Sequence, residues 1–375
     1  MAKFTFGQIA KEVRLTYNGD KTDMPIVGLE HIVPKELTVT NYDINTNNTF
    51  TKSFKKGQIL FGRRRAYQHK AAIATFNGIC SGDITVIEPI EGMVYPALLP
   101  FIVQNDAFFS HAVQGSAGSL SPRVKWEHLS SYEIELPSIE EQRVLAEKLW
   151  AAYRLKESYK RLLAATDEMV KSQFIEMFGN HSTTPVSHYI AGSYPGEWGM
   201  EDKDGSGVKV IRTTNFTNAG KLDLTDVVTR SIIEKKVKRK TIKKFDTILE
   251  RSGGTAENPV GRVVLFEEDD QYLCNNFTQV LRFKDIDPRY AFYSLFYYYQ
   301  MNKTAVRSMG SKTTGIQNLD MNRYLEIGIP NASDYEQSLF IAIAEQADKS
   351  KFVSFKSQFI EMFGGCANRI KLSSS

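Results

Sequence analysis

Apolar positions along 139–178 recur in steps of four and three, through Leu145, Leu149, Ala152, Tyr159, Leu163, Thr166 and Val170. That spacing keeps one face of a helix apolar and gives the seam of a coiled coil. The stretch holds no Gly or Pro and is rich in Ala, Leu, Glu, Lys and Arg, all good helix formers. Ser138 is placed to cap its start with Glu141 as the capping-box partner, and Gly179 to end it. A second helix is predicted from about Tyr335 to Phe363, with Phe340, Ile343, Ala347, Phe355, Phe359 and Met362 on its seam and Gly364 as its stop. At about 1.5 Å per residue the two helices would be about 60 Å and about 40 Å long. Helices of that length are expected to pair with each other rather than fold away inside one domain.

Elsewhere the apolar runs are short and broken by Gly and Pro, as strands are. "QILFGRRR", "KAAIATF", "DITVIEP" and "YEIELP" predict strands in the first part of the chain, with a helix over 94–113. "VKVIRTTNF", "DTILER", "GRVVLFE" and "TQVLRF" predict them in the second, with "RYAFYSLFYYYQ" as the helix. The run from about His181 to Gly207 is expected to be a loop or an irregular strand.

These elements recur in order. "KSQFIEMFG" stands at 171–179 and again at 356–364. "KKGQILFGR" (55–63) aligns without gaps to "KKFDTILER" (243–251), "VGLEHI" (27–32) to "IRTTNF" (211–216), and "GIC" ending at Cys80 to "YLC" ending at Cys274. "VYPALLPF" (94–101) parallels "RYAFYSLF" (289–296), "GSAG" (115–118) parallels "GSKT" (310–313), and "SYEIELPSIEEQ" (131–142) parallels "YLEIGIPNASDYEQ" (324–337). The chain is therefore a tandem duplication of a mixed α/β domain followed by a helix. The fold class is α+β, with domains at 1–138 and 181–334, helices at 139–180 and 335–365, and a tail at 366–375. Identity of the repeated peptide at polar as well as seam letters suggests a shared partner surface: Phe174, Met177 and Phe178 in one copy, Phe359, Met362 and Phe363 in the other.

Composition adds little constraint. With 47 basic and 43 acidic residues in 375, the mild positive charge permits a polyanionic partner without demanding one. Cys80, Cys274 and Cys366 form no CxxC and suit a reducing compartment. Early charges in "MAKFTFGQIAKEVRL" do not suit a signal peptide, and no apolar run approaches a membrane span. A soluble, cytoplasmic protein with no membrane association is the expectation.

Several stretches have the chemistry of nucleic-acid contact. "FGRRRAYQHK" sets Arg63, Arg64 and Arg65 just after a strand, with His69 and Lys70 following. Arginine forks fit phosphates and the guanine edge, and three in succession imply a division of labour; a solubilising edge cluster would have the same letters. The matching slot in the second domain is "ERSGGTAENP", with Arg251 in the place of Arg63, then Ser252 and two glycines that would allow close backbone approach. "EKKVKRKTIKK" carries seven basic residues from Lys235 to Lys244, Lys238, Arg239 and Lys240 among them, as a solvated face or a phosphate stripe. The loops "GSAGSLSPR" and "GSKTTGIQN" offer Ser116, Arg123, Lys312, Thr313, Thr314, Gln317 and Asn318, as groove contacts or as plain turns. Catalytic signatures are missing. "DPRY" (287–290) departs from the D/N-P-P-Y/F motif of amino methyltransferases by an arginine, no phosphate-binding glycine loop is present, and the histidines lack metal-ligand spacing.

The ordered set resembles the specificity subunit of Type I restriction–modification systems. It consists of a strand with "F-G-R-R-R", a "G-I-C-S-x-D" strand, a helix, a "G-S" loop, a strand ending in "L-P" and "E-E-Q" opening a long helix, all repeated. The resemblance implies two target recognition domains, each reading half of a bipartite asymmetric sequence in double-stranded DNA. It also implies two helices pairing antiparallel, which set the spacing and hold two modification (methyltransferase) subunits, and through them a restriction/translocase subunit. No cofactor is then expected in this chain; S-adenosylmethionine, ATP and Mg would belong to the partners. The second helix departs from the pattern, being ten residues shorter between its "EQ" and its "KSQF". A related two-headed system with a fused cutting and methylating partner, or a coiled-coil protein-binding scaffold, shares these features.

Overall fold

The computed structural model describes residues 2–366 other than 119, 314 and 315, and at 312, 313 and 351–366 it describes the backbone. The chain divides into two compact units, one of 1–160 with 355–375, the other of 161–354. The division falls inside both long helices rather than at their ends.

In the first unit a five-stranded sheet runs in the order 10–13, 84–89, 59–62, 71–74, 38–39, antiparallel except for its last pair. Its centre is apolar at every position because both faces are covered. Ile59, Phe61, Ala71 and Ile87 face a core shared with Phe6, Leu99, Phe108 and Phe109. Leu60, Ala72 and Val86 face a second core with Val27, Phe54 and Cys80. The helix expected over 94–113 is two, Leu99–Val103 and Asp106–Gln114, because the Asn105 side chain caps the second by accepting from the Ala107 amide at 2.8 Å.

The second unit repeats the sheet in the order 190–195, 278–283, 247–250, 263–265. Ile248, Val264 and Val280 turn to one core; Leu249, Leu265, Leu281 and Phe283 turn to the other. The run expected to be loop or irregular strand holds short strands at Thr183–Pro185, Ile190–Pro195 and Met200–Glu201. Equivalence of the units extends to single hydrogen bonds. Val27 pairs in parallel with Cys80, and Ile211 with Cys274. Burial pushes the two thiols up to about 12 and about 11, so neither is a reactive thiolate at neutral pH.

The central helix opens as expected, and the last helix opens in the same way. Ser138 Oγ and its amide donate to Glu141 Oε2 at 2.8 and 3.0 Å, and Ser333 does the same to Glu336 at 2.7 and 2.8 Å. One residue further on, Gln142 Oε1 accepts from the Tyr95 amide at 2.9 Å, and Gln337 Oε1 from the Asp287 amide at 3.1 Å. This corrects one alignment: Tyr95–Pro96 stands where Asp287–Pro288 does, three residues from the apparent sequence register. Asp287 caps the helix Pro288–Met301, accepting from the Arg289 amide at 2.9 Å. The "DPRY" stretch is thus a helix start.

The central helix spans Ile139–Phe178 and the last helix Asp334–Cys366, which continues past the expected stop at Gly364. Within the second unit, Val170, Phe174 and Phe178 are buried among Tyr290, Tyr297 and Phe340. Phe174 lies 5.0 Å from Tyr297 and 5.2 Å from Phe340 between ring centroids, and Phe178 lies 5.0 Å from Tyr290. The last helix packs on this stretch through Phe340 and Ala344. Phe174 and Phe178 were expected on a partner surface, but their own chain covers them because residues four apart share a helix face. Met177 is partly buried against the same core. Phe359, Met362 and Phe363 lie outside the residues whose side chains are described. Phe178→Ala should lower the unfolding free energy by about 3–5 kcal/mol, whereas Ile175→Ala, at an exposed position of the same repeat, should change it by under about 0.5 kcal/mol; urea unfolding of both variants checks this.

Candidate nucleic-acid interface

In the first unit the strand Ile59–Gly62 delivers the arginines into a turn in which Arg65 adopts a left-handed backbone, with φ of 55°. The turn is held by backbone bonds to two neighbours. The Arg63 amide donates to Asp83 O at 2.9 Å, Arg63 O accepts from the Val124 amide at 3.0 Å, and the Arg65 amide donates to Pro122 O at 2.8 Å. Arg64 is tied down, with Nη1 3.4 Å from Asp83 Oδ2 and Nη2 donating to Ser121 Oγ at 2.9 Å. Arg123 grips the same carboxylate side-on, Nε to Oδ1 at 2.6 Å and Nη2 to Oδ2 at 3.3 Å. The side chains of Arg63 and Arg65 have no partner among the described residues. The Nε atoms of all three consecutive arginines are shut off from solvent, so their terminal nitrogens are what a ligand could reach.

Arg63 lines an open cleft of about 770 Å3 together with Arg14, Lys52, Glu12 and Asp83. Burial opposes ionisation of Asp83, but the Arg123 hydrogen bond and the charges of Arg123 and Arg64 outweigh it and hold the carboxyl below its ordinary range. Asp83, Arg14 and Lys52 were not singled out from the sequence. Asp83 is the final residue of "G-I-C-S-x-D", legible there as part of a strand motif but not as the partner of two distant arginines.

Other expected contacts are occupied within the fold. Lys70 Nζ donates to Leu29 O at 2.6 Å, His69 stacks on Phe109 with centroids 4.4 Å apart, and Ser116 Oγ donates to Ala112 O at 2.8 Å. The basic run forms a helix, Glu234–Lys240, and splits by face. Lys240 is drawn in, 3.1 Å from Glu197, while Lys238 pairs with Glu234 at 2.6 Å and Arg239 faces solvent without a partner among the described residues.

In the second unit Arg251 occupies the Arg63 site in hydrogen-bond detail. Its amide donates to Phe277 O at 2.9 Å and its carbonyl accepts from the Leu319 amide at 2.8 Å. Its side chain likewise has no partner among the described residues. Ser252 pairs in the ladder with Asn318 and donates Oγ to Asn318 Oδ1 at 2.7 Å. Gln317 Nε2 reaches Arg307 O at 3.2 Å. Of the two glycines that follow, Gly254 serves the fold, since a Cβ there would stand 2.7 Å from the Val260 amide, while at Gly253, whose φ of 108° favours glycine, a Cβ would meet Glu250 Oε1 at 3.6 Å. Lys312 and Thr313 lie on the strand Gly310–Thr313, with side chains outside the described set, and Thr314 is outside it altogether. Among the described residues no group of three or more His, Cys, Asp or Glu is placed to hold a metal, and no helix is long and apolar enough to cross a membrane.

A sheet-and-helix unit built twice and joined by a continuous helix is the fold of the S subunits of type I restriction–modification systems. The S subunit from M. genitalium superposes with a TM-score of 0.55 at 13% identity, over 100% of this chain and 96% of that one. A chain solved in work on assembly and conformational transition of the type I R-M system gives 0.50 at 15% identity over 95% of each. Residues 8–165 match the Type I restriction modification DNA specificity domain. The specificity subunit of the Type I restriction enzyme EcoDI from Escherichia coli is 26% identical over 153 residues, 40% of this chain and 32% of that relative, so the match spans about a third of the relative's length.

The depressed Asp83 carboxyl carries a pH signature. A group whose pKa is lower folded than unfolded stabilises above its unfolded value, about 4, and loses that contribution as pH falls through the folded one. Hydrogen exchange at the Arg65 and Val124 amides should therefore be slow and pH-corrected flat above about pH 4, then rise as the pH drops further. Asp83→Asn should show the faster exchange already at pH 7.

Proposed function

We propose that the protein is a non-catalytic DNA-specificity subunit that reads a bipartite asymmetric site in double-stranded DNA, one half per unit. It recruits two methyltransferase subunits and, with them, a restriction and translocation subunit. S-adenosylmethionine, ATP and Mg are then the partners' cofactors, and base flipping is the partners' work. The observation that carries this reading is the pair of equivalent slots. Arg63 and Arg251 are held by the same two backbone bonds, yet the side chains beside them are Arg64 and Arg123 in one unit and Ser252 and Asn318 in the other. One backbone frame with two sets of groove-compatible side chains is what two readers of different sequences require. The unpaired cations Arg63, Arg65, Arg239 and Arg251 supply phosphate contacts. The side chains proposed for partner contact shift from Phe174 and Phe178 to exposed apolar positions of the central helix, Leu162, Met169 and Ile175.

Methylation mapping of DNA from cells expressing this chain with its methyltransferase should return two short specific blocks around a fixed gap. Arg63→Ala should weaken one block and leave the other. Equal loss at both blocks would end the assignment of one half to each unit, and a continuous or absent motif with an active partner would favour a protein-binding scaffold. DNA affinity of the assembled complex should fall by about 10³–10⁵ between 50 and 200 mM salt for 6–10 phosphate contacts.

A further inference from the structure

We infer that Leu120 inserts between stacked base pairs of the duplex and opens one step of the half-site held by the first unit. This role rests on the DNA-reading function proposed above and adds how the unit grips and deforms its DNA.

Among the described residues Leu120 is the most exposed large apolar side chain, with 89% of its surface open to solvent. It stands in the loop of a hairpin whose arms, Ser116–Ala117 and Arg123–Val124, pair antiparallel. Single exposed leucines are common on protein surfaces, but this one is held in place. The next residue, Ser121, accepts from Arg64 Nη2 at 2.9 Å, and Pro122 O accepts from the Arg65 amide at 2.8 Å. Pro122 also biases Ser121 away from helical backbone, and Gly118 turns the loop with a φ of 116°. Two consecutive residues thus fasten the base of the tip to the arginine turn.

The surroundings of Leu120 decide what it meets. Ala117, Gly118, Ser121 and Pro122 bring no second large apolar side chain, so the loop lacks the clustered apolar centre that a protein interface buries. Beside it stand Arg63 and Arg65, whose side chains have no partner among the described residues. One aliphatic side chain flanked by unpaired cations is complementary to duplex DNA, which presents apolar base faces between rows of phosphates. Burial of the leucine and the cation–phosphate contacts offset the unstacking.

The second unit repeats the arrangement. Its hairpin pairs Gly310–Thr313 with Ile316–Leu319, Ile316 is 43% exposed next to the loop, and the Leu319 amide donates to Arg251 O. An aliphatic residue beside the arginine slot of both units is a device common to two readers. It makes no hydrogen bonds to base edges, so it leaves the letters of each block to other side chains.

The test uses the complete complex and the site returned by methylation mapping. The block that Arg63→Ala weakens marks the half held by the first unit. The fluorescent base 2-aminopurine, placed in turn at each adenine in and beside that block, reports unstacking by a rise in emission. The wild type should give a rise at a step distinct from the methylated base. Leu120→Ala should abolish that rise and lower affinity about 10-fold, with both blocks keeping their letters. Leu120→Met, apolar and of similar volume, should retain the rise, and so should Ile316→Ala. Because Leu120 is exposed, Leu120→Ala should unfold in urea as the wild type does, which separates lost insertion from lost folding. A rise confined to the methylated base, or one that survives Leu120→Ala, overturns the inference. Failure of Leu120→Ala to assemble with the methyltransferase also overturns it, by making Leu120 a protein contact. These results leave the two-reader function standing, whereas a wild-type motif that is not split overturns both.

Discussion

Burial of the central helix by two separate cores is the constraint on which the rest depends. Its first turns pack on the first unit, where Trp150 Nε1 donates to Ala97 O at 2.8 Å and Ala146 is buried. Its last turns, through Val170, Phe174 and Phe178, complete the aromatic core of the second unit. Neither core closes without it. The helix is therefore a structural member of both units, and a substitution in its apolar face should be felt first as lost folding free energy.

The duplication survives where hydrogen bonding is obligatory. Buried amides must find acceptors, and the same acceptors recur: Gln142 and Gln337 under the two helix starts, and the carbonyls of Arg63 and Arg251 under the two loops. Side chains around the two arginine slots are under no such restraint, and there the units diverge, from Arg64, Asp83 and Arg123 to Ser252, Phe277 and Asn318. A fold that separates these two classes of position can change the side chains of a slot without changing its frame.

Charge is distributed by the same logic. Of the basic residues that look alike in the sequence, Lys70, Lys240 and Arg64 are held by acceptors of the fold, while Arg63, Arg65 and Arg239 have none among the described residues. A cation already paired with a carboxylate is partly neutralised, so the basic run of 235–244 offers fewer free cations than its length suggests.

The sequence alone determined the duplication, the extent of the central helix, its capping box and the gapless alignment of 55–63 with 243–251, because periodicity, caps and repeated letters are local properties. It set Arg63 against Arg251, two residues that the fold holds by equivalent backbone bonds. The three-residue shift that sets Tyr95 against Asp287 and the burial of the first copy of the repeated peptide were decided by tertiary packing. So was the meeting of Arg64, Asp83 and Arg123. Those residues lie up to about sixty positions apart, and a pairing between side chains so distant depends on strand order and register, which no local pattern encodes.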